Sequence, residues 1–189
     1  MDKPVARAVS IAGHPAVLMP VAALIASPEA TGITAFVVSL VCGGAVLGYS
    51  LYRVRRGDWT HVDASVPSER AQLNSRVAGV LLATAGVLWF AGPHIGISLV
   101  VGLAGLIVLV GHALRHVVKL SLHVAFAVFA AFLVWPNQIA SVALALAAAG
   151  VAWSRIALRR HIAADIALGA LVGAAVGLAV HALMARFAG

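Results

Sequence analysis

The stretch VAGVLLATAGVLWFAGPHIGISLVVGLAGLIVLVGHAL, from Val77 to Leu114, has 38 residues and no charge. As one helix at ~1.5 Å per residue it would be ~57 Å long, about twice the ~30 Å hydrocarbon core of a bilayer. One crossing cannot use it all. Gly92-Pro93-His94 supplies the natural break, so the run predicts two membrane helices joined by a turn. Working outward, Leu120 to Ser154 is again uncharged and is divided by Trp135-Pro136-Asn137-Gln138. Ile33 to Tyr52 is a 20-residue span, and a last helix is expected from Ile162 to Met184. The first apolar segment, Ala8 to Pro28, should be kinked by Pro15 and Pro20. It has the charged start and apolar core of a signal peptide, and is read here as a membrane helix. The count is seven crossings, or six if the first segment does not fully span.

Composition agrees. The 189 residues are 62% hydrophobic and 10% charged, with a mean hydropathy of +1.04. Soluble domains carry about 25% charge, so lipid is the expected solvent. Backbone groups in lipid must be satisfied within helices or closed barrels. No strand-like alternation is present, so the fold class is all-α, a polytopic helical bundle. We divide it into residues 1–32, an N-terminal membrane helix and turn, and residues 33–189, the main helical domain. The net charge of +7 is not a nucleic-acid signature, because no long basic run or basic polar face carries it. Cys42 is the single cysteine, so no intrachain disulfide can form.

Alternating the crossings places twelve of the 13 Lys and Arg residues on one side, with Arg186 alone opposite. By the positive-inside rule that side is cytoplasmic, in a multi-pass protein of the cell (inner) membrane.

Two segments on that side could carry chemistry. In the first, Ser154-Arg155-Ile156-Ala157-Leu158-Arg159-Arg160-His161-Ile162-Ala163-Ala164-Asp165 links two spans. Asp165 is the only carboxylate within an apolar span, where an unpaired charge is costly. His161 lies four residues earlier, on the same face if both are helical. Such a pair fixes an imidazole tautomer and raises its nucleophilicity, although a His–Asp pair at a helix start can also serve packing alone. In the second, Lys119-Leu120-Ser121-Leu122-His123 opens a helix with a cation, a hydroxyl and an imidazole, groups suited to an anion. Lys119 and His123 are again four apart. The bland alternative is a snorkelling lysine beside a helix-start serine.

Together these segments resemble the type 2 phosphatidic acid phosphatase superfamily. That family carries Ser-Arg, five residues, His, three residues, Asp, and Ser154, Arg155, His161 and Asp165 match it in full. Its Pro-Ser-Gly-His motif is half matched by Leu120-Ser121-Leu122-His123. Its third motif, a Lys followed by Arg-Pro, is absent. Arg70, in the loop run Asp63-Ala64-Ser65-Val66-Pro67-Ser68-Glu69-Arg70, is the preferred substitute, with Arg115 and Lys119 as further candidates. The resemblance covers about residues 33–186. It implies that His161 attacks phosphorus, Asp165 orients it, and His123 protonates the leaving oxygen and then activates water. Lys119, Ser121, Ser154, Arg155, Arg70 and Arg115 would hold phosphate oxygens. No metal or other cofactor is implied. The implied partners are a lipid phosphate, or a polyprenyl phosphate or diphosphate, together with the membrane lipids. Nucleic acid is not among them, and self-association into a homo-oligomer stays open. Two other classes share these residues: a small anion transporter, and a catalytically silent relative of the family. His14, His94, His181 and His61 are isolated and read as structural. His112 and His116 would share a face if the helix continues that far, but no Glu or Cys accompanies them to complete a metal site. Trp59, Trp89, Trp135 and Trp153 sit near segment ends as interfacial anchors. The Gly- and Ala-rich run from Gly169 to Gly177 is expected to serve close helix packing.

Overall fold

The computed structural model describes residues 3–27, 29–64, 66–92 and 94–187. Eight α-helices follow in order: α1 Lys3–Ala12, α2 Pro15–Ala26, α3 Glu29–Arg55, α4 Pro67–Phe90, α5 Ile95–Ala113, α6 Leu122–Leu133, α7 Gln138–Ala157 and α8 Ala163–Phe187. Among the described residues there is no strand. Five helices are long and apolar enough to cross a membrane, and counting the bent α1–α2 pair gives a sixth crossing. The chain is a multi-pass membrane protein, as its uncharged runs require. The breaks expected before His94 and at Trp135–Gln138 both occur, although Pro93 lies outside the described residues. Pro28, in the expected 27–32 turn, also lies outside them, and the helix resumes at Glu29.

Two segments differ from expectation. The first apolar segment breaks ahead of its prolines, at Gly13–His14, and α1 and α2 meet at 46°. His14 is extended at φ −67° and ψ 138°, because the residue before a proline is pushed out of the helical region. Pro15 then starts α2, where its missing N–H costs nothing, and Pro20 is carried inside the helix. In α1, Ala6 and Ser10 face inward, as does Gly13 just after it, while Lys3 and Arg7 are exposed. The second difference is α6. It has 12 residues, about 18 Å of helix, because the chain stays out of helix through Ser121, which is extended at φ −80° and ψ 95°. It is too short to cross as a helix alone.

That short helix is the centre of the bundle. Ala125, Ala127, Phe129 and Ala130 are fully buried, with α2, α5, α7 and α8 packed around them. The closest approach is to α8. A Cβ added at Gly169 would stand 2.6 Å from the Ser121 carbonyl oxygen, and one at Gly173 would strike the Ala125 carbonyl oxygen. Gly177 meets the Phe132 side chain in the same way. The absent side chains let the two backbones touch, which in lipid replaces the missing hydrophobic drive for association. α6 and α8 run parallel, so their first residues lie together at one end of the bundle.

Candidate active site

At that end, residues 119–121 and 161–165 lie side by side. The Ser121 N–H donates to the Asp165 carbonyl oxygen at 3.2 Å. His161 is in the link before α8, not in the helix, yet its four-residue spacing to Asp165 still brings the side chains together. Its Nδ1 lies 3.2 Å from Asp165 Oδ2 and 3.1 Å from the Lys119 carbonyl oxygen. A carbonyl only accepts, so this network assigns the proton to Nδ1 and leaves the Nε2 lone pair for chemistry. Both side chains are at least nine-tenths buried. Burial first, then the Arg155 guanidinium, lowers the His161 pKa from 6.5 to about 4, against the opposing pull of its Asp165 hydrogen bond. His161 is therefore neutral at pH 7. Asp165 Oδ2 also accepts from the Ile162 N–H at 3.2 Å, capping the start of α8. The structural and chemical roles of this carboxylate coexist.

The link itself is strained. At the end of α7, the Arg160 N–H donates to the Arg155 carbonyl at 2.9 Å and the Arg159 N–H to the Ile156 carbonyl at 2.8 Å. This is the closure that glycine usually makes, but the residue with φ +54° is Arg159. A left-handed conformation costs a side-chain-bearing residue roughly 1–2 kcal/mol. Arg159 lines a cavity of about 420 Å³ with Lys119, Arg160, His161 and Asp165. The strain keeps a guanidinium at that cavity, in keeping with the tendency of strained backbone to gather at functional sites.

The other expected residues divide. Lys119 is at the site, but the helix starts after it, so it shares no helix face with His123. Its ammonium donates instead to the Arg160 carbonyl at 2.6 Å. Partial burial, then the Arg70 guanidinium, lowers the Lys119 pKa from its usual value. Ser121 is fully buried and, among the described residues, its hydroxyl has no partner. Arg155 is also buried; Nη1 donates to the Ser10 hydroxyl at 3.0 Å, while Nε has no partner among the described residues. Ser154 is beside it, but its hydroxyl donates to the Val151 carbonyl at 2.7 Å, within its own helix. Arg70, in the first turn of α4, is within electrostatic range of Asp165 and Asp63. Arg115 is the expected ligand that the structure leaves outside. It is exposed and caps the end of α5 through the His112 carbonyl at 2.8 Å. His123 opens α6 and feels His161, Arg155 and Arg160 electrostatically.

Three contributors were not anticipated. His14 packs its ring edge-on against His123, with centroids 4.9 Å apart, while its Nδ1 accepts the Ala16 N–H. The proton of a neutral His14 is then on Nε2. Ser10 holds Arg155. Asp63, in the polar loop after α3, pairs with Arg160 and draws that loop onto the site. The cluster of Arg70, Lys119, Arg155, Arg159 and Arg160 against Asp63 and Asp165 has five positive and two negative charges, a formal +3. Among the described residues, no group of three His, Cys, Asp or Glu side chains is arranged to hold a metal ion. Such a site can attract and desolvate an anion, offer it unpaired buried donors, and present a neutral imidazole to it. No protein-family model, curated protein or solved structure matches the chain. What the residues can do has to follow from their own geometry.

Proposed function

We propose that the protein is a membrane phosphatase acting on a phosphomonoester or diphosphate of a lipid or polyprenol, through a phosphohistidine on His161. The observation that carries this reading is the neutral His161, held at Nδ1 by Asp165 and the Lys119 carbonyl, inside a net-cationic pocket. Simple anion binding needs no carboxylate there, and the charge of Asp165 would weaken it. In the first step Nε2 forms a bond to phosphorus as the phosphorus–oxygen bond to the lipid breaks. His123, protonated once the phosphate dianion is bound beside it, gives that proton to the leaving oxygen. In the second step His123 takes a proton from water, the water oxygen bonds to phosphorus, and the nitrogen–phosphorus bond breaks to release phosphate and restore His161. Phosphoryl transfer asks mostly for positioning and for neutralisation of the equatorial oxygens. Arg155 Nε and the Ser121 hydroxyl, both buried and without partners among the described residues, are the donors of choice, with Lys119 and Arg159 at the cavity and Arg70 within electrostatic range adding charge. His14 acts through His123, packing edge-on against its ring. The site end faces the cytoplasm, on the strength of Lys3, Arg7, Arg53, Arg55 and Arg56 at the same end.

The test is phosphate release in detergent from a panel of lipid monophosphates and polyprenyl diphosphates. Wild-type protein should turn over at least one of them, and His161→Ala should not. An absence of turnover across the panel, together with passage of intact labelled anion in proteoliposomes, would replace this reading with transport. Labelling of a cysteine in the 53–66 loop of intact cells by an impermeant reagent would reverse the orientation.

A further inference from the structure

A second cavity lies elsewhere, on the lipid-facing side between α3 and α4. α4 packs closely along α5, whereas α3 stands off it. The gap is a groove of about 690 Å³, polar at one end and apolar at the other. Arg53, Gln72, Ser75 and Arg76 line the polar end, and Gly79, Val80 and Ala83 continue from it along α4.

The polar end is organised but incomplete. Arg53 pairs through Nη1 with Asp58 at 3.4 Å and through Nη2 with Gln72 Oε1 at 3.1 Å, leaving its buried Nε without a partner. Gln72 Oε1 also accepts from Trp59 Nε1 at 3.3 Å. Both of these bonds use the oxygen, so the Gln72 amide N–H groups are free to donate. Arg76 is exposed and, among the described residues, makes no hydrogen bond or ion pair. It lies about 13 Å along α4 from Pro67, next to the apolar floor. An arginine beside an apolar, lipid-facing surface is costly unless it reaches the interface or meets an anion. Arg70 belongs to the other site: six residues away on the same helix, it projects about 120° around the axis from Arg76.

We propose that this groove is a specific site for one anionic phospholipid, independent of the phosphatase chemistry. The headgroup phosphate rests on Arg53 Nε, the Gln72 amide and Arg76, and one acyl chain lies along Gly79, Val80 and Ala83. Two arginines against Asp58 leave a net positive rim, which favours a lipid of net negative charge over a zwitterionic one. Each arginine near an anionic headgroup is worth ~1 kcal/mol, so the preference should be on the order of tenfold.

Native mass spectrometry of the purified protein in a neutral detergent tests this, with phosphatidylglycerol, phosphatidylcholine and inorganic phosphate as separate additions. The expected result is one retained phosphatidylglycerol per chain, on the order of tenfold preferred over phosphatidylcholine, and not displaced by millimolar phosphate. Arg76→Gln should lose the preference, and Gly79→Leu should reduce retention of both lipids by filling the floor. Equal retention of the two lipids by wild-type protein overturns the proposal. So does an unchanged preference in both Arg76→Gln and the Arg53→Gln/Arg76→Gln pair, or displacement by phosphate, which would mark a free-anion site. None of these readouts depends on phosphatase activity.

Discussion

Along α8, Gly169, Gly173 and Gly177 each face another chain segment so closely that a methyl group would collide with it; along α4, Gly79 and Gly86 face open space. The same residue type marks opposite architectures. Where α6, α7 and α8 meet, backbone touches backbone, and titratable groups are held with buried, unpaired donors between them. Where α3 and α4 face each other, contact is sparse and a groove remains for lipid. The most hydrophobic part of α5 is 44% buried, against 17% for α3. Packing therefore separates the side of the molecule that can hold chemistry from the side that leaves a groove. A preorganised site needs side chains locked by their surroundings, and the α6–α8 side provides that.

The sharpest way to break this contrast is at His123. His123→Ala should lower turnover of a lipid monophosphate by roughly 10²–10⁴-fold, the usual range for a positioned acid–base group. A p-nitrophenyl ester, whose leaving group needs no proton, should lose less in its first step. Equal losses for both substrates in single-turnover burst measurements would remove His123 as the acid. Substitutions that fill the α3–α4 groove should leave both rates unchanged.

The pH dependence of His161 comes next. Its neutral fraction falls only as pH falls through about 4, because burial and Arg155 depress its pKa. Modification of His161 by diethyl pyrocarbonate should therefore be flat from pH 7 to 5. An ordinary histidine with a pKa of about 6.5 would slow by roughly thirtyfold over that range. A midpoint near 6.5 would show that the pocket does not desolvate the ring.

Glycine substitutions test the packing directly. Gly173→Ala should cost about 1–3 kcal/mol in thermal unfolding, since the methyl group must push two backbones apart. Gly79→Ala should gain about 0.5–1 kcal/mol from helix propensity alone. Similar effects at the two positions would erase the contrast. A change of similar size is expected for Arg159→Gly. Relief of the left-handed strain should raise stability by about 1 kcal/mol while phosphate release falls, separating the backbone role of this residue from its charge.

Much of this was legible in the sequence because uncharged runs longer than a bilayer is thick force both helices and breaks. The His161–Asp165 pair was legible too, since its spacing survives even though His161 precedes the helix. The remainder depended on contacts that no single segment carries. Ser10 and His14 reach Arg155 and His123 across more than a hundred residues, and His14 read as isolated. The one local signal was its position before Pro15, which marks a helix start. Lys119 and His123 failed to share a face because the chain stays out of helix through Ser121, and the backbone of that segment serves His161 and Asp165 instead. Arg115 matched in sign and side, but an unclosed helix end nearby took its guanidinium first.

The central claim is that His161 takes the phosphoryl group. Acid-avoiding rapid quench of wild-type protein with a turned-over lipid phosphate, followed by peptide mass spectrometry, reads it most directly. The account predicts a phosphoryl group on the peptide containing His161, absent from His161→Ala, which should also show no turnover. Undiminished phosphate release by His161→Ala, or a phosphoryl group on another residue, would contradict it.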